Sequence, residues 1–207
     1  MLTNIECVVF DLGGVVIDLC RERCIEALAR LGYSRADEEL GLYVQKGPFY
    51  QLETGKITAA EFYDDVKKHC VPGTTDTDIQ DAFNAFLVDL PVERLRALRS
   101  LRGRYRTIGL SNTNPVMYDS WIRHAFTAEG LAIDDYFDGV VKSFAEGVCK
   151  PDPEIFRILL RRYCLDPRRT LYLDDSPGNC AEAEKLGIAT ELVTAENDML
   201  AIISKLP

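Results

Sequence analysis

Six side chains that can support phosphoryl chemistry stand at the ends of apolar runs, or just past them, in this 207-residue chain. They are Asp11, the pair Ser111-Asn112, Lys150 and the pair Asp174-Asp175. Two separate acidic positions suit a hard divalent cation such as Mg²⁺, because that ion prefers oxygen ligands and retains waters. A lysine and a serine hydroxyl beside the cation suit a phosphate, and a carboxylate placed in line could attack phosphorus to form an aspartyl-phosphate. This chemistry requires that the fold bring these side chains to one place.

The elements predicted to position them are short strands that alternate with helices. The run Val8–Phe10 is typical of a strand buried on both faces, and Gly13 and Gly14 then let the backbone turn sharply. Further strands are predicted at 107–110, 139–144, 170–173 and 188–193, and helices at 93–102, 115–126, 152–163, 179–187 and 195–204. Such alternation predicts right-handed crossovers and a parallel sheet. The carboxyl ends of its strands would then share one edge, where open α/β sheets bind ligands.

The segment 19–89 has a different pattern, because its apolar residues recur at helical spacing and no strand signal is present. Helices are predicted at 21–31, 58–70 and 76–86, and Thr58 with Glu61 forms a capping box for the second. The predicted fold class is therefore α/β, with a Rossmann-like parallel sheet flanked by helices and an inserted all-helical cap domain. The core comprises residues 1–18 and 90–207, and the cap comprises 19–89. The predicted connections are 17–20 and 91–92.

Composition restricts the partners and the compartment. A net charge of -9 and a pI near 4.8 argue against nucleic acid or an anionic membrane as the main partner. A small phosphorylated ligand stays compatible, because a site can be locally positive. Seven cysteines without a CxxC pair are typical of reduced thiols in a cytoplasmic protein. The N-terminus lacks a basic region and the apolar run after it contains Asp11, which indicates neither a signal peptide nor a membrane span. The oligomeric state stays unknown.

Four segments resemble, in order, the four motifs of the haloacid dehalogenase-like (HAD) superfamily. They are FDLGGVVID (10–18), LSNTN (110–114), CKPDPEIF (149–156) and LYLDDSPGN (171–179). The helical insert after the first motif is similar to the subfamily with a C1-type cap. The resemblance extends over about residues 5 to 195, and each motif falls at a predicted strand end or just past one.

The resemblance implies a role for each matching residue. Asp11 is similar to the nucleophile, which is also a Mg²⁺ ligand, and Gly13 would give its backbone carbonyl to the metal. Ser111 resembles the hydroxyl that binds the phosphoryl group, with Asn112 beside it near the substrate. Lys150 resembles the lysine that holds nucleophile and phosphate together. Asp175 looks like the direct metal ligand and Asp174 like a ligand through water, although these two roles could be reversed.

One position departs from the pattern of most phosphatases in the superfamily. They carry a second Asp two residues after the nucleophile as general acid and base, and here that residue is Gly13. A general acid typically contributes about 10²–10⁴-fold to the rate. Three explanations remain open: a substrate with a good leaving group, such as an anomeric sugar phosphate or an acyl phosphate; an acid from water, the cap or the substrate; or a slow or inactive protein. Some sugar-1-phosphate phosphatases of the superfamily resemble this sequence, with DLG in place of DxD.

The predicted function is therefore a Mg²⁺-dependent phosphatase that acts on a small phosphorylated metabolite, a sugar phosphate. The alternative is a slow phospholigand-binding or regulatory protein. The 2-haloacid dehalogenases also lack the second Asp, but they work without metal and lack the acidic pair of the fourth motif. Phosphomutases of the superfamily generally need the second Asp.

Other polar residues have less specific interpretations. His69 and His124 lie in predicted helices and are expected at the surface or partly packed, and Asp18 is expected to be a linker carboxylate. The segment 46–56 is predicted to be rich in loop and to choose the substrate. Its candidate side chains are Lys46, Phe49, Tyr50, Gln51 and Glu53.

Overall fold

The computed structural model describes residues 4–206, so residues 1–3 and 207 of the predicted core lie outside the described range. The strands of the described chain are β1 (Cys7–Phe10), β2 (Asp18–Leu19), β3 (Leu87–Asp89), β4 (Arg106–Ser111), β5 (Gly139–Lys142), β6 (Thr170–Asp174) and β7 (Ala189–Leu192). Five of them form a parallel sheet in the order β5-β4-β1-β6-β7. This arrangement confirms the predicted fold class, and it places β1 at the centre of the sheet.

The central strand is buried along its whole length because both faces of the sheet are covered. Val8 and Phe10 pack into one apolar cluster, whereas Cys7 and Val9 pack into a second cluster on the other face. The alternation follows from the strand geometry, in which successive side chains point to opposite faces. The residue after β1 therefore emerges at the middle of the carboxyl edge of the sheet.

Helices cover the sheet and form most of the insert. Within residues 4–206 the α-helices are α1 (Arg21–Arg30), α2 (Ala36–Glu39), α3 (Gly47–Glu53), α4 (Ala59–Lys67), α5 (Asp76–Asn84), α6 (Val92–Leu101), α7 (Pro115–Met117), α8 (Arg123–Ala125), α9 (Ile133–Tyr136), α10 (Ser143–Glu146), α11 (Pro153–Arg162), α12 (Pro177–Lys185) and α13 (Met199–Ile203). A π-helical turn at Tyr118–Ile122 joins α7 to α8, and 3₁₀ turns occur at Phe126–Glu129 and Pro167–Arg169. None of the helices in this range is both long and apolar enough to cross a membrane.

Most predicted elements of the core have somewhat different limits in the structure, and the helix predicted at 195–204 begins only at Met199. Two of the differences have a clear local cause. The strand predicted at 139–144 ends at Lys142, because the Ser143 hydroxyl exchanges hydrogen bonds of 2.9 Å with the backbone N–H and carbonyl of Thr113 and the chain turns into α10. The helix predicted at 115–126 contains the π-helical turn. There the Ser120 hydroxyl donates to the carbonyl of Val116 at 2.6 Å, a bond that competes with the regular backbone ladder.

The insert is helical except at its two ends, where the prediction of no strand was wrong. Strands β2 and β3 pair in an antiparallel ribbon, with Leu19 opposite Leu87. Elements of two and three residues are too short to show a period-two pattern, so the sequence carried no signal for them. The ribbon joins the outgoing and returning chains beside the sheet edge.

The segment 46–56 also differs from its prediction, because residues Gly47–Glu53 form a regular helix rather than a loop. Pro48 lies in the first turn, where its missing N–H costs no hydrogen bond. Phe49 packs against Phe62 and Phe83 with ring centroids 5.2 and 5.1 Å apart, and this aromatic cluster fixes α3 inside the insert. The capping box predicted for α4 is confirmed, with both of its hydrogen bonds present.

Candidate active site

Lys150 is the point at which the strand-end side chains meet. Its Nζ lies 2.8 Å from Asp11 Oδ2 and 2.8 Å from Asp174 Oδ2, and it donates to the carbonyl of Leu110 at 3.1 Å. The ammonium group is buried, and these three acceptors match its three donors. The two neighbouring carboxylates raise the pKa of Lys150 against the opposing effect of burial, so the side chain stays charged.

Asp174 is fully buried and has all of its lone pairs engaged. Its Oδ1 accepts from the N–H of Ser176 at 2.7 Å and from Asn179 Nδ2 at 3.0 Å. Its Oδ2 accepts from Lys150, from Asn179 and from the Tyr172 hydroxyl. Burial would raise the pKa of Asp174, but Lys150 and these hydrogen bonds outweigh it and lower the pKa.

Asp175 is half-buried and has a different environment from its neighbour. Burial and the adjacent charge of Asp174 raise the pKa of Asp175 to about 6. Gly14 lies directly against it with φ +76°, and a Cβ on Gly14 would stand 2.4 Å from Asp175 Oδ2. Only glycine fits both the left-handed backbone and this close approach.

Three carboxylates converge at this edge of the sheet. Oxygen atoms of Asp11, Asp174 and Asp175 all lie within 4.8 Å of one another. Burial raises the pKa of Asp11, and Lys150 only partly opposes that rise. Three acids against one ammonium leave uncompensated negative charge in a buried place, and oxygen donors of this kind match a hard divalent cation.

The pair Ser111-Asn112 follows β4 beside the same cluster. The Ser111 hydroxyl is buried and makes a long bond of 3.3 Å to the carbonyl of Asn112. The Asn112 side chain clamps the backbone of Lys150: its Oδ1 accepts from the Lys150 N–H at 2.7 Å and its Nδ2 donates to the Lys150 carbonyl at 2.9 Å. Its amide therefore faces the lysine that holds Asp11.

The insert covers this edge and encloses a cavity of about 90 Å³. The cavity reaches Asp11, Gly13, Ser111, Asn112, Lys150 and Asp175 from the core, and the insert side contributes Leu42, Tyr43, Gln45, Glu53, Phe83 and Phe86. The Tyr43 hydroxyl donates to the carbonyl of Asp175 at 3.2 Å, so the insert and the sheet edge are in direct contact.

Of the five specificity candidates in 46–56, the cavity includes Glu53 alone. Phe49 is buried in the insert, and Lys46, Tyr50 and Gln51 are exposed on its surface. The residues that the sequence analysis missed belong mainly to the loop between α2 and α3. The structure leaves Leu42, Tyr43 and Val44 41–58% exposed, and exposed apolar clusters often mark binding sites. The signal that the sequence carries is the apolar run itself, which falls outside the predicted helices.

The remaining candidates lie away from the cavity. His69 and His124 are exposed, as expected. Asp18 forms an ion pair of 2.7 Å with Arg94, consistent with its interpretation as a linker carboxylate.

The sequence matches the family model of the haloacid dehalogenase-like hydrolases over residues 5–187. The chain therefore belongs to the haloacid dehalogenase-like hydrolase family, as its four motifs predicted. D-ribitol-5-phosphate phosphatase of Bacteroides thetaiotaomicron is 34% identical over 186 residues, which cover 90% of each chain.

Solved structures agree with this assignment. A HAD family enzyme of Bacteroides thetaiotaomicron, crystallised in complex with magnesium and inorganic phosphate, has a TM-score of 0.89 at 38% identity and covers 96% of this chain and 98% of its own. A predicted HAD-like family hydrolase from Porphyromonas gingivalis has a TM-score of 0.89 at 35% identity, with 98% of both chains covered.

Proposed function

We propose that this chain is a Mg²⁺-dependent phosphatase that hydrolyses a small sugar or polyol phosphate through an aspartyl-phosphate on Asp11. The observation that carries the proposal is the convergence of Asp11, Lys150 and Asp175 at one wall of a cavity, with Asp174 buried behind Lys150. The similarity to D-ribitol-5-phosphate phosphatase supports the substrate class, and the relative crystallised with magnesium and phosphate supports the cofactor.

The carboxylate cluster suits magnesium. Asp11, Asp175 and the backbone carbonyl of Gly13 would hold the ion directly. Asp174 would act behind them, because both of its oxygens already accept hydrogen bonds from the protein. When bound, magnesium would neutralise negative charge on the phosphoryl group and orient that group against Asp11.

The side chains around Asp11 have separate roles in the proposed reaction. Asp11 would attack phosphorus with a carboxylate oxygen, while Lys150 and the N–H of Leu12, which donates to Asp11 Oδ1 at 2.7 Å, fix the orientation of that carboxylate. The Ser111 hydroxyl would donate to a phosphoryl oxygen. Asn112 would position Lys150, since its side-chain amide is occupied by the Lys150 backbone.

Two unpartnered acceptors support a hydroxyl-rich substrate. Within residues 4–206, Gln45 Oε1 and Thr113 Oγ1 are buried without a hydrogen-bond partner, and both residues line the cavity. A buried acceptor left unpaired costs about 1–3 kcal/mol. Hydroxyl groups of a sugar or polyol phosphate would satisfy these atoms.

The other functions considered for the sequence fit less well. A dehalogenase without metal would gain nothing from three clustered carboxylates. A phosphomutase would need an acid at Gly13. A phospholigand-binding protein stays the second candidate, because Gly13 supplies no proton.

A screen with and without Mg²⁺ tests the proposal: phosphate release is measured on polyol phosphates and glycosyl 1-phosphates, and halide release is measured on haloacids. We expect release from a polyol or sugar phosphate that requires Mg²⁺ and stops on chelation with EDTA. Binding of inorganic phosphate without turnover of any ester would favour the binding protein. Halide release without metal would instead identify a dehalogenase.

A further inference from the structure

Glu53 is a buried carboxyl group on the insert side of the cavity. Glu53 as a whole is 8% exposed, and it lines the same cavity as Asp11, Ser111 and Lys150. Glu53 is the last residue of α3. The packing of Phe49, one turn earlier, holds this helix in the insert and therefore fixes the position of Glu53.

The position of Glu53 relative to the sheet is fixed by a tight junction. Gly55 has φ +63°, and a Cβ there would stand 2.2 Å from the carbonyl oxygen of Phe144 in the core. The Cys149 thiol donates to the Glu53 carbonyl at 3.7 Å from the other side of the junction. The insert and the core are therefore in contact within two residues of Glu53.

The carboxyl group itself has few charge-stabilising neighbours. Within the described residues, the donor nearest to it is the Cys149 thiol, 4.0 Å from Oε2, whose single proton is shared with the closer Glu53 carbonyl. No lysine or arginine of the described range forms an ion pair with it. Lys150 faces it from the core, Tyr50 lines an adjoining pocket together with it, and the Lys56 ammonium lies 5.1 Å from the centroid of the Tyr50 ring. Burial raises the pKa of Glu53 to about 8, against the partly opposing charge of Lys150.

The core offers no replacement acid at position 13. A Cβ on Gly13 would stand 3.0 Å from Leu19 Cδ1, so an apolar side chain fills the space that an acid there would use. Among the described side chains that line the cavity, the titratable groups outside the Asp11–Lys150–Asp175 cluster are Tyr43 and Glu53. Tyr43 already donates its hydroxyl proton to the carbonyl of Asp175.

We infer that Glu53 is the general acid and base of the phosphatase, supplied by the insert in place of the acid absent at Gly13; the inference rests on the proposed function. As the bond from Asp11 oxygen to phosphorus forms, the bond from phosphorus to the alkoxy oxygen breaks, and the Glu53 proton moves to that oxygen. In the second step a water oxygen bonds to phosphorus, the phosphorus–Asp11 bond breaks, and the water proton moves to Glu53. The cycle returns both carboxyl groups to their starting states.

The leaving group provides the test. For Glu53→Gln we expect kcat/KM on a polyol phosphate to fall by about 10²–10⁴-fold, because the alkoxide then leaves unprotonated. On p-nitrophenyl phosphate we expect kcat/KM to stay close to wild type, since a nitrophenolate leaves without a proton. Inhibition by inorganic phosphate should be unchanged, which shows that the cavity still binds the phosphoryl group. Glu38→Gln, an exposed acid on α2, is the matched control.

The pH profile gives a second readout. The kcat/KM of the wild type on the polyol phosphate should fall as pH rises through about 8, where Glu53 loses its proton, and this limb should be absent in Glu53→Gln. Equal losses on both esters would assign Glu53 a structural role and overturn the inference, as would full activity on both. A wild-type chain that releases phosphate from neither ester would refute the proposed function and the inference together.

Discussion

The two walls of the cavity differ in how their polar groups are satisfied. On the sheet edge, Lys150 has three acceptors, Asp174 accepts from four residues, and the Asn112 amide is bonded at both ends. On the insert, Gln45 Oε1 has no partner among the described residues, and Glu53 accepts only a long bond from a thiol. Within residues 4–206 the sheet edge has one unpaired group of this kind, Thr113 Oγ1, which lies two residues past β4.

This difference separates two tasks. A wall whose groups are held by the protein is ready before substrate arrives, which suits chemistry that is the same for every phosphate ester. On a wall with unpaired groups, the lost hydration of these groups is compensated only when a ligand supplies hydrogen-bond partners. Such a wall therefore discriminates between leaving groups. Substitutions of the groups that the protein already holds, such as Asp11 and Lys150, should therefore affect all esters equally, whereas the effects of substitutions at Gln45 and Glu53 should depend on the ester.

Asp11→Asn should cause the largest loss. We expect kcat on every ester to fall by about 10⁴-fold or more, because a carboxamide is a poor nucleophile. The chain should stay folded, since the side chain keeps its shape. Steady-state kinetics on a polyol phosphate and on p-nitrophenyl phosphate, with circular dichroism, measures this. Substantial residual turnover on either ester would refute covalent catalysis by Asp11.

Lys150→Met should have the largest effect on stability. Removing the ammonium leaves the buried carboxylates of Asp11 and Asp174 without their cation, and breaking a buried pair in this way costs about 3–5 kcal/mol. Urea unfolding in metal-free buffer measures the loss. Lys185→Met removes only an exposed pair with Glu182, so its cost should stay within about 1 kcal/mol.

The pH dependence of that loss has a definite sign. In the wild type, the lowered pKa of Asp174 contributes stability above the ordinary carboxyl pKa, and this contribution is lost as pH falls. In Lys150→Met, the charge that opposes burial most strongly is gone, and only the hydrogen bonds from Tyr172, Ser176 and Asn179 still lower the pKa of Asp174. The folded pKa of Asp174 should therefore rise, and protonation of its carboxylate should reduce the destabilisation of the variant. The difference in unfolding free energy between the wild type and Lys150→Met should therefore become smaller as pH falls from 7 towards 4. A difference that is constant over this range would show that Lys150 acts by packing alone.

The sequence predicted the sheet edge well and the insert poorly, for a physical reason. Asp11 and Asp174 sit at strand ends, and backbone pairing fixes where a strand end lies and which edge it shares. A residue on a helix faces a direction that changes by about 100° with each position, so its surroundings depend on how the helices pack. For this reason the sequence offers Glu53 only as one of five candidates in 46–56, and Gln45 lies one residue before that segment.

Gln45→Leu should separate affinity from chemistry on the insert wall. Removing the unpaired acceptor should raise KM for a polyol phosphate about tenfold and leave kcat/KM for p-nitrophenyl phosphate unchanged. The variant also loses the hydrogen bond of 3.2 Å from Gln45 Nε2 to the Gly41 carbonyl, so the net change in stability should stay within about 1 kcal/mol. Parallel kinetics and thermal unfolding measure the three quantities. Lys46→Ala is the control, because the adjacent side chain is exposed and should have no effect. Equal KM values for Gln45→Leu and Lys46→Ala would show that Gln45 does not contribute to substrate binding.

Gly13→Asp should have the smallest effect in the wild type, because Glu53 already supplies the proton. The new side chain must displace Leu19, whose Cδ1 would lie 3.0 Å from its Cβ, but this atom is the end of a flexible side chain and the backbone at residue 13 is not left-handed. In the Glu53→Gln background the same substitution should restore part of the lost activity on a polyol phosphate and change p-nitrophenyl phosphate little. Gly13→Asn, of the same size without an acidic proton, should restore nothing. Recovery with both substitutions would attribute the effect to the displacement of Leu19, and recovery with neither would show that an acid at residue 13 does not reach the leaving group.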